Sequence, residues 1–313
     1  MEEQYVQEAS RLIPAEVTMI AACQDSEEGG DISDVRRFHL PDPKGKAGGA
    51  MSSAILSVLY QHDQSGTLDE TSWVKLLAQL SLQLNQTGFT QKPVLSSSRL
   101  IDMRKSVQFC NKNNQGVKRA VLIGINYTGQ KGELTGCWND CRNMREYLVK
   151  IQGFKRDNVI MIMDDGVHFS PTRLNIITAF KNLVKHSVDG DTVFLHFSGH
   201  GGKTIDLNGD EDDGYDETLI PVDFRTHGQI VDDEIFEILV KPMAKGVKMT
   251  CLIDSCHSGT ALDLPFTYTY DDAHAKDHNK ASMRMSENFF IPHQKISKMG
   301  KQSDDKDSGW CCC

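Results

Sequence analysis

Four short runs with apolar residues at consecutive positions recur in the second half of this chain: AVLIGIN at 120–126, NVIMIMD at 158–164, DTVFLHFSG at 191–199 and VKMTCLIDSC at 247–256. A strand that is apolar on both faces belongs inside a sheet covered on both sides, which is the condition of a parallel sheet. The segments between the runs have helical spacing. They are 139–151, with Asn139 as the expected cap, 171–186, with Ser170 as cap and Pro171 in the first turn, and 231–240. This alternation predicts an α/β fold with a mostly parallel central sheet flanked by helices. Ligands of such sheets sit beyond the carboxyl ends of the strands.

The first half has another texture. Residues 15–22 read as a buried strand, 25–50 as an acidic and then Pro/Gly-rich loop, and 50–61 as a helix. A second helix starts near Trp73 with Thr67 or Ser72 at its head, and 91–102 read as a short strand or coil. RKSVQFCNKNNQGVK at 104–118 is basic and polar, the composition of a linker. Residues 266–313 are mostly polar apart from ENFFIPH and the terminal WCCC, and read as a flexible tail.

Charge and cysteine usage narrow the function. With 34 Lys and Arg against 43 Asp and Glu, the net charge is −9, which argues against a nucleic-acid backbone as the main partner. No apolar stretch of about 18 residues is present, so stable membrane insertion is not expected. The opening Met1-Glu2-Glu3 has neither the basic nor the apolar part of a secretory signal, and Glu2 stands where N-myristoylation needs glycine. Nine cysteines, an odd count, point to a reducing, cytoplasmic setting rather than a disulfide framework. Cys137 and Cys141 share a helical face but have no second short-spaced pair to complete a zinc site. The three terminal cysteines are open to acylation, metal binding or no role at all.

Two strand ends carry reactive side chains. The third run closes in Ser198-Gly199-His200-Gly201-Gly202 and the fourth in Asp254-Ser255-Cys256-His257-Ser258-Gly259. A parallel sheet delivers both ends to one edge, where Cys256 can serve as nucleophile and His200 as its base. The adjacent glycines expose backbone N–H groups, and those of Gly201 and Cys256 are the candidates for holding an oxyanion. The bland alternative is a buried inert cysteine and a satisfied core histidine. His257 ranks below His200 as base, because an extended chain would point it away from Cys256.

Residues 206–217, DLNGDEDDGYDE, crowd carboxylates that repel one another unless a cation compensates. Part of the run has EF-hand spacing, but Glu211 stands at the obligatory glycine, which disfavours that motif. A solvated acidic loop is the competing reading. Asp232, Asp233 and Asp263 add hard oxygen donors that suit calcium better than zinc.

FLHFSGHGG around His200, CLIDSCHSG around Cys256, LIGINY at 122–127, LTGCWNDCRNM at 134–144 and YDETLIPVDF at 215–224 together resemble the metacaspases, cysteine peptidases of the caspase-like fold. The 56-residue spacing from His200 to Cys256 is also close to the caspase arrangement. VTMIAACQDSEEGGDISD at 17–34, KGKAGGAMSSAIL at 44–56 and QKPVLSSS at 91–98 are similar to that family's small p10-like region, which here comes first. This order resembles the permuted type III metacaspases.

The resemblance implies a p10-like region at 1–103, a linker at 104–118, a p20-like catalytic region at 119–265 and a tail at 266–313. The two regions would make one three-layer caspase-like sandwich. It implies a calcium-dependent endopeptidase, acting as a monomer on protein or peptide substrates with Arg or Lys before the scissile bond. Cys256 and His200 would form the dyad. Asp140, Asp254, Cys137 and Ser198 would line the substrate pocket, with Asp25 bordering the cleft. Calcium would sit on Asp216, Asp232, Asp233 and Asp263. The resemblance also implies a zymogen that cuts itself at basic residues, as many relatives do, with Arg104, Lys105, Lys112, Lys118, Lys276, Lys280 and Arg284 as the accessible candidates; ordinary solvated residues are the competing reading. A catalytically silent, calcium-responsive binding module is the alternative reading.

Overall fold

Each of the four apolar runs forms a strand, and the strands lie side by side. In the computed structural model, residues 2–22, 31–40, 43, 45–65, 71–107, 115–205, 215–270, 281–286 and 289 are described. In chain order the elements are α1 (Glu2–Leu12), β1 (Glu16–Ala21), β2 (Asp31–Ile32), β3 (Gly48–Gly49), α2 (Ala50–Ser65), α3 (Trp73–Gln86) and β4 (Val94–Ser97). They continue with β5 (Lys118–Gly124), α4 (Cys137–Lys150), β6 (Val159–Met163), α5 (Arg173–His186), β7 (Thr192–Ser198), β8 (Gly201–Ile205) and β9 (Tyr215–Leu219). The last are α6 (Phe224–His227), β10 (Ile230–Val231), α7 (Asp232–Ile235), which runs on into a π-helical turn at Phe236–Val240, β11 (Lys248–Asp254), β12 (Phe266–Tyr270) and β13 (Ala281–Met285).

One eight-stranded sheet runs β13-β12-β4-β1-β11-β7-β5-β6. Its inner block is parallel: β1 with β11, β11 with β7, β7 with β5, and β5 with β6. The other three strands join antiparallel. Register decides what meets at the edge. Gly124 pairs with Ser198 and Ser198 with Asp254, so β5, β7 and β11 end in one row. A strand from the first hundred residues, β1, pairs with β11 from Lys248 to Ile253.

Helices cover both faces. Leu59 of α2 and Met144 and Leu148 of α4 pack over Ile20, Phe194 and Leu252 of the sheet. Tyr60 and Tyr147 lock those two helices with edge-on rings 5.2 Å apart. On α5, Ile176 and Phe180 are fully buried. The result is a mixed α/β architecture with a mostly parallel sheet between helical layers.

Several local expectations differ. Helix α4 begins two residues before Asn139, because the Asn126 Oδ1 atom accepts the Cys137 N–H at 3.0 Å and supplies a cap from outside the helix. Helix α5 is capped by Thr172 rather than Ser170; its hydroxyl accepts the Asn175 N–H. Of the two candidates for the head of α3, Ser72 is the cap. Residues 266–270 and 281–285, read as part of a flexible tail, are strands of the main sheet. The alternating aromatic and β-branched side chains of Phe266-Thr267-Tyr268-Thr269-Tyr270 explain it, since they fit a pleated, half-buried surface.

Candidate active site

Strand β7 gives way at Ser198 to a bend that carries His200, and β11 gives way at Asp254 to one that carries Cys256. Ser198 and Asp254 are direct partners in neighbouring parallel strands, so His200 and Cys256 each stand two residues beyond the same paired row. The Gly199 N–H donates to the Asp254 carbonyl at 3.3 Å, which keeps the two bends together. A Cβ on Gly201 would fall 2.0 Å from the Cys256 carbonyl oxygen, so the backbones touch here in a way only glycine permits. His200 and Cys256 are both buried. His257 has φ of 48°, so the chain turns at this point instead of continuing extended, as the ranking of His257 had assumed.

The imidazole of His200 is gripped from one side. Its Nε2 lies 2.6 Å from the Gly132 carbonyl oxygen. A carbonyl can only accept, so Nε2 carries the proton and Nδ1 is the basic nitrogen. Burial lowers the His200 pKa, and the bond to Gly132 partly opposes this.

Another cysteine and histidine meet elsewhere in the fold. Cys141 Sγ is 3.9 Å from His196 Nδ1, and the Ser52 hydroxyl is 2.9 Å from His196 Nε2. All three residues are buried. Burial pushes the Cys141 thiol well up, with Asp140 adding to it, and takes His196 down to about 3. Both groups are thus neutral at physiological pH, and this pair ties α2 and α4 to β7 as uncharged core. A histidine buried neutral binds its proton less well folded than unfolded. Stability is therefore intact above pH 6.5 and is lost as pH falls from there towards 3. Urea unfolding is expected to show roughly 1.4 kcal/mol lost per pH unit from this group in that window. His196→Gln should flatten that part of the slope. An identical slope in the variant would show that His196 is not the group responsible.

The sequence-chosen pocket residues cluster behind the same strand ends. Asp140, in the first turn of α4, accepts the Ser198 hydroxyl at 2.8 Å and the Gly49 N–H at 2.9 Å through Oδ2. Asp254 Oδ2 accepts the Ser52 N–H at 2.7 Å, in the first turn of α2. A Cβ on Gly49 would fall 2.1 Å from Asp254 Oδ2 and 3.1 Å from Asp140 Oδ2, so the two carboxylates flank one glycine side by side. Cys137 is buried at the start of α4. Asp25 lies outside the described residues, as do 206–214.

Of the acidic residues expected to hold calcium, Asp216 stands on β9 of a small three-stranded sheet, β10-β9-β8, Asp232 and Asp233 open α7, and Asp263 lies between β11 and β12. Asp216, Asp232 and Asp233 are buried. Asp232 accepts the Glu217 N–H at 2.7 Å and the Asp233 N–H at 2.9 Å, one on each oxygen. Asp263 adopts φ of 46° and donates its N–H to the Thr260 carbonyl at 2.7 Å. Buried carboxylates are the donor chemistry of a hard dication. Among the described residues, no three acidic, His or Cys side chains are gathered as a ligand group.

Comparison with known proteins decides the family. The chain is 43% identical to Metacaspase III c of Phaeodactylum tricornutum over 308 residues, which is 98% of this chain and 89% of that protein. The chain belongs to the metacaspase family. The family model described as metacaspase, peptidase C14 domain, matches residues 118–265, so this metacaspase carries a cysteine-peptidase domain. Metacaspase-1 of Emericella nidulans is 53% identical over 156 residues, and that of Botryotinia fuckeliana 52% over 163. The chain spans 39% of the length of each of those two proteins. Its first hundred residues enter the match with the Phaeodactylum tricornutum protein, in keeping with the type III resemblance. Among the described residues, no helix is long and apolar enough to cross a membrane.

Sequence reasoning missed the Gly132 carbonyl and the Ser52 and Gly49 amides. Backbone atoms leave no residue-type signature, and only the fold reveals them.

Proposed function

We propose that the chain is a calcium-dependent cysteine endopeptidase that cleaves after Arg or Lys, with Cys256 as nucleophile and His200 as base. The observation that carries this reading is the shared row of Ser198 and Asp254, which sets both candidate residues on one rim. His200 Nδ1 takes the thiol proton, and the Cys256 sulfur attacks the scissile carbonyl carbon. The N–H groups of Gly201 and Cys256 hold the developing oxyanion. The imidazolium then gives its proton to the leaving amine, and a thioester remains on Cys256. Water, deprotonated by His200, hydrolyses it and restores the thiol. The dyad is covered in this arrangement, so loops above it must shift to admit a peptide.

Asp140 and Asp254 supply the negative pocket for the basic side chain. Asp216, Asp232, Asp233 and Asp263 would hold calcium, whose charge would offset the repulsion among them. The close Cys141–His196 pair is the rival dyad. Its burial and its neutral groups disfavour it, since it offers no thiolate.

Fluorogenic peptides ending in Arg, Lys or Asp, assayed across a calcium titration, test the proposal. Arg and Lys reporters should be cleaved with half-maximal calcium near the millimolar range, about 10⁻⁴–10⁻³ M. The Asp reporter should not be cleaved, and a calcium chelator should abolish turnover. Calcium should also raise the melting temperature of the Cys256→Ala protein, a readout independent of turnover. Cleavage after Asp, or turnover indifferent to calcium, would overturn the reading. A folded protein that binds calcium and never cleaves would favour the binding module.

A further inference from the structure

Tyr127 is a bulky residue held at φ of 52°, in the left-handed region that L side chains avoid. Such strain persists only where the surroundings impose it. Here the residues on either side are fastened to one carboxylate. The Asn126 N–H donates to Asp164 Oδ1 at 2.9 Å and the Thr128 N–H to Asp164 Oδ2 at 3.3 Å. The Trp138 indole N–H holds the same carboxylate in place at 2.6 Å. Asp164 directly follows the edge strand β6 and is no part of the proposed dyad or pocket.

This twist turns the Tyr127 side chain towards His200. Its buried hydroxyl accepts the His200 backbone N–H at 3.0 Å and donates to the Ile220 carbonyl at 2.6 Å. Its ring lies against the imidazole, with centroids 4.7 Å apart and planes tilted by 36°. The Ile220 N–H in turn donates to the His200 carbonyl at 3.2 Å. His200 is therefore clamped at its backbone N–H, at its carbonyl, at one ring face and, through Gly132, at Nε2. Gly132 lies on the same loop, five residues after Tyr127.

We propose that Tyr127 is a positioning residue for His200, set by Asp164, and that its hydroxyl links the imidazole-bearing bend to the end of β9. The inference rests on the dyad reading above. Tyr127 exchanges no proton with the substrate or the thiol in this scheme; it acts through His200 and fixes where Nδ1 stands. A base misplaced by about 1 Å can cost a hundredfold in rate, while the substrate pocket is left alone.

Tyr127→Phe tests this, because it keeps the ring contact and removes both hydroxyl bonds. On an Arg reporter at saturating calcium, kcat should fall about tenfold to a hundredfold with KM within about twofold. Alkylation of Cys256 by iodoacetamide at neutral pH, followed by peptide mass spectrometry, should slow in parallel. Asp164→Asn, which weakens the grip on residues 126 and 128, should give a smaller loss of kcat, again with KM unchanged. That variant decides the matter if Tyr127→Phe does not fold. Unchanged kcat in the folded variants overturns the inference, and so does a matched rise in KM. His200→Ala separates the two levels. If it is inactive while Tyr127→Phe behaves as wild type, only this inference fails. If His200→Ala retains activity, the dyad reading fails and this inference falls with it.

Discussion

Replacing Cys256 with alanine is expected to remove at least about a thousandfold of kcat/KM on an Arg reporter, while Cys141→Ala leaves turnover within a few-fold of wild type. The two thiols differ in surroundings more than in chemistry. Cys141 sits against a neutral His196 in closed core, where burial and the nearby Asp140 hold the thiol protonated. Removing its sulfur costs stability, about 1 kcal/mol as for a typical core change, and little else. Cys256 follows β11 at the carboxyl edge of the parallel strands, where peptide can be brought to it. His200→Ala should match Cys256→Ala, because members of one catalytic unit are not additive, and the double variant should be no worse than either single one. Activity measurements on purified protein, with melting curves to verify folding, settle the comparison. If Cys141→Ala is dead and Cys256→Ala active, the nucleophile has been placed on the wrong element.

The sheet was legible because its inner strands carry consecutive apolar residues, which fill both faces of a strand, and a pattern argument needs nothing more than that. Strand ends were legible for the same reason: an apolar run that stops at Ser198-Gly199-His200 or Asp254-Ser255-Cys256 declares its edge. The β8–β9 pair was not, since Gly201-Gly202-Lys203-Thr204-Ile205 and Tyr215-Asp216-Glu217-Thr218-Leu219 show neither an apolar run nor a clean alternation. Their ladder forms by pairing with each other, a tertiary fact. Helix α1 does carry a readable signal: Tyr5, Val6, Ala9 and Leu12 recur at helical spacing and pack onto the core. The start of α4 could not be read locally at all, because its cap comes from Asn126, eleven residues upstream. Among the proposed site residues, side chains were open to inference, whereas the Gly132 carbonyl and the amides of Gly49 and Ser52 were not.

Those amides bear on the second large effect, which concerns specificity. Asp254→Asn and Asp140→Asn are each expected to lower kcat/KM for an Arg reporter about a hundredfold or more, and to do much less to a reporter with citrulline in the same position. Two buried carboxylates side by side repel each other, and a guanidinium between them relieves the repulsion while making charge-assisted, paired hydrogen bonds. Removing one partner of such a buried charge pair costs roughly 2–5 kcal/mol. Citrulline has the shape of arginine without its charge, so it isolates the electrostatic part. Asparagine is the informative substitution, because its carbonyl oxygen still accepts the Ser52 N–H that Asp254 now holds, or the Gly49 N–H and Ser198 hydroxyl held by Asp140. Alanine would leave those donors buried and unpaired, and so would confuse lost specificity with lost docking of α2. The wild-type preference for arginine over citrulline should therefore collapse in the asparagine variants while the melting temperature stays within a few degrees. A preference that survives both substitutions would mean that these carboxylates only anchor the first half of the chain to the catalytic half, and that the charge reading the substrate lies elsewhere.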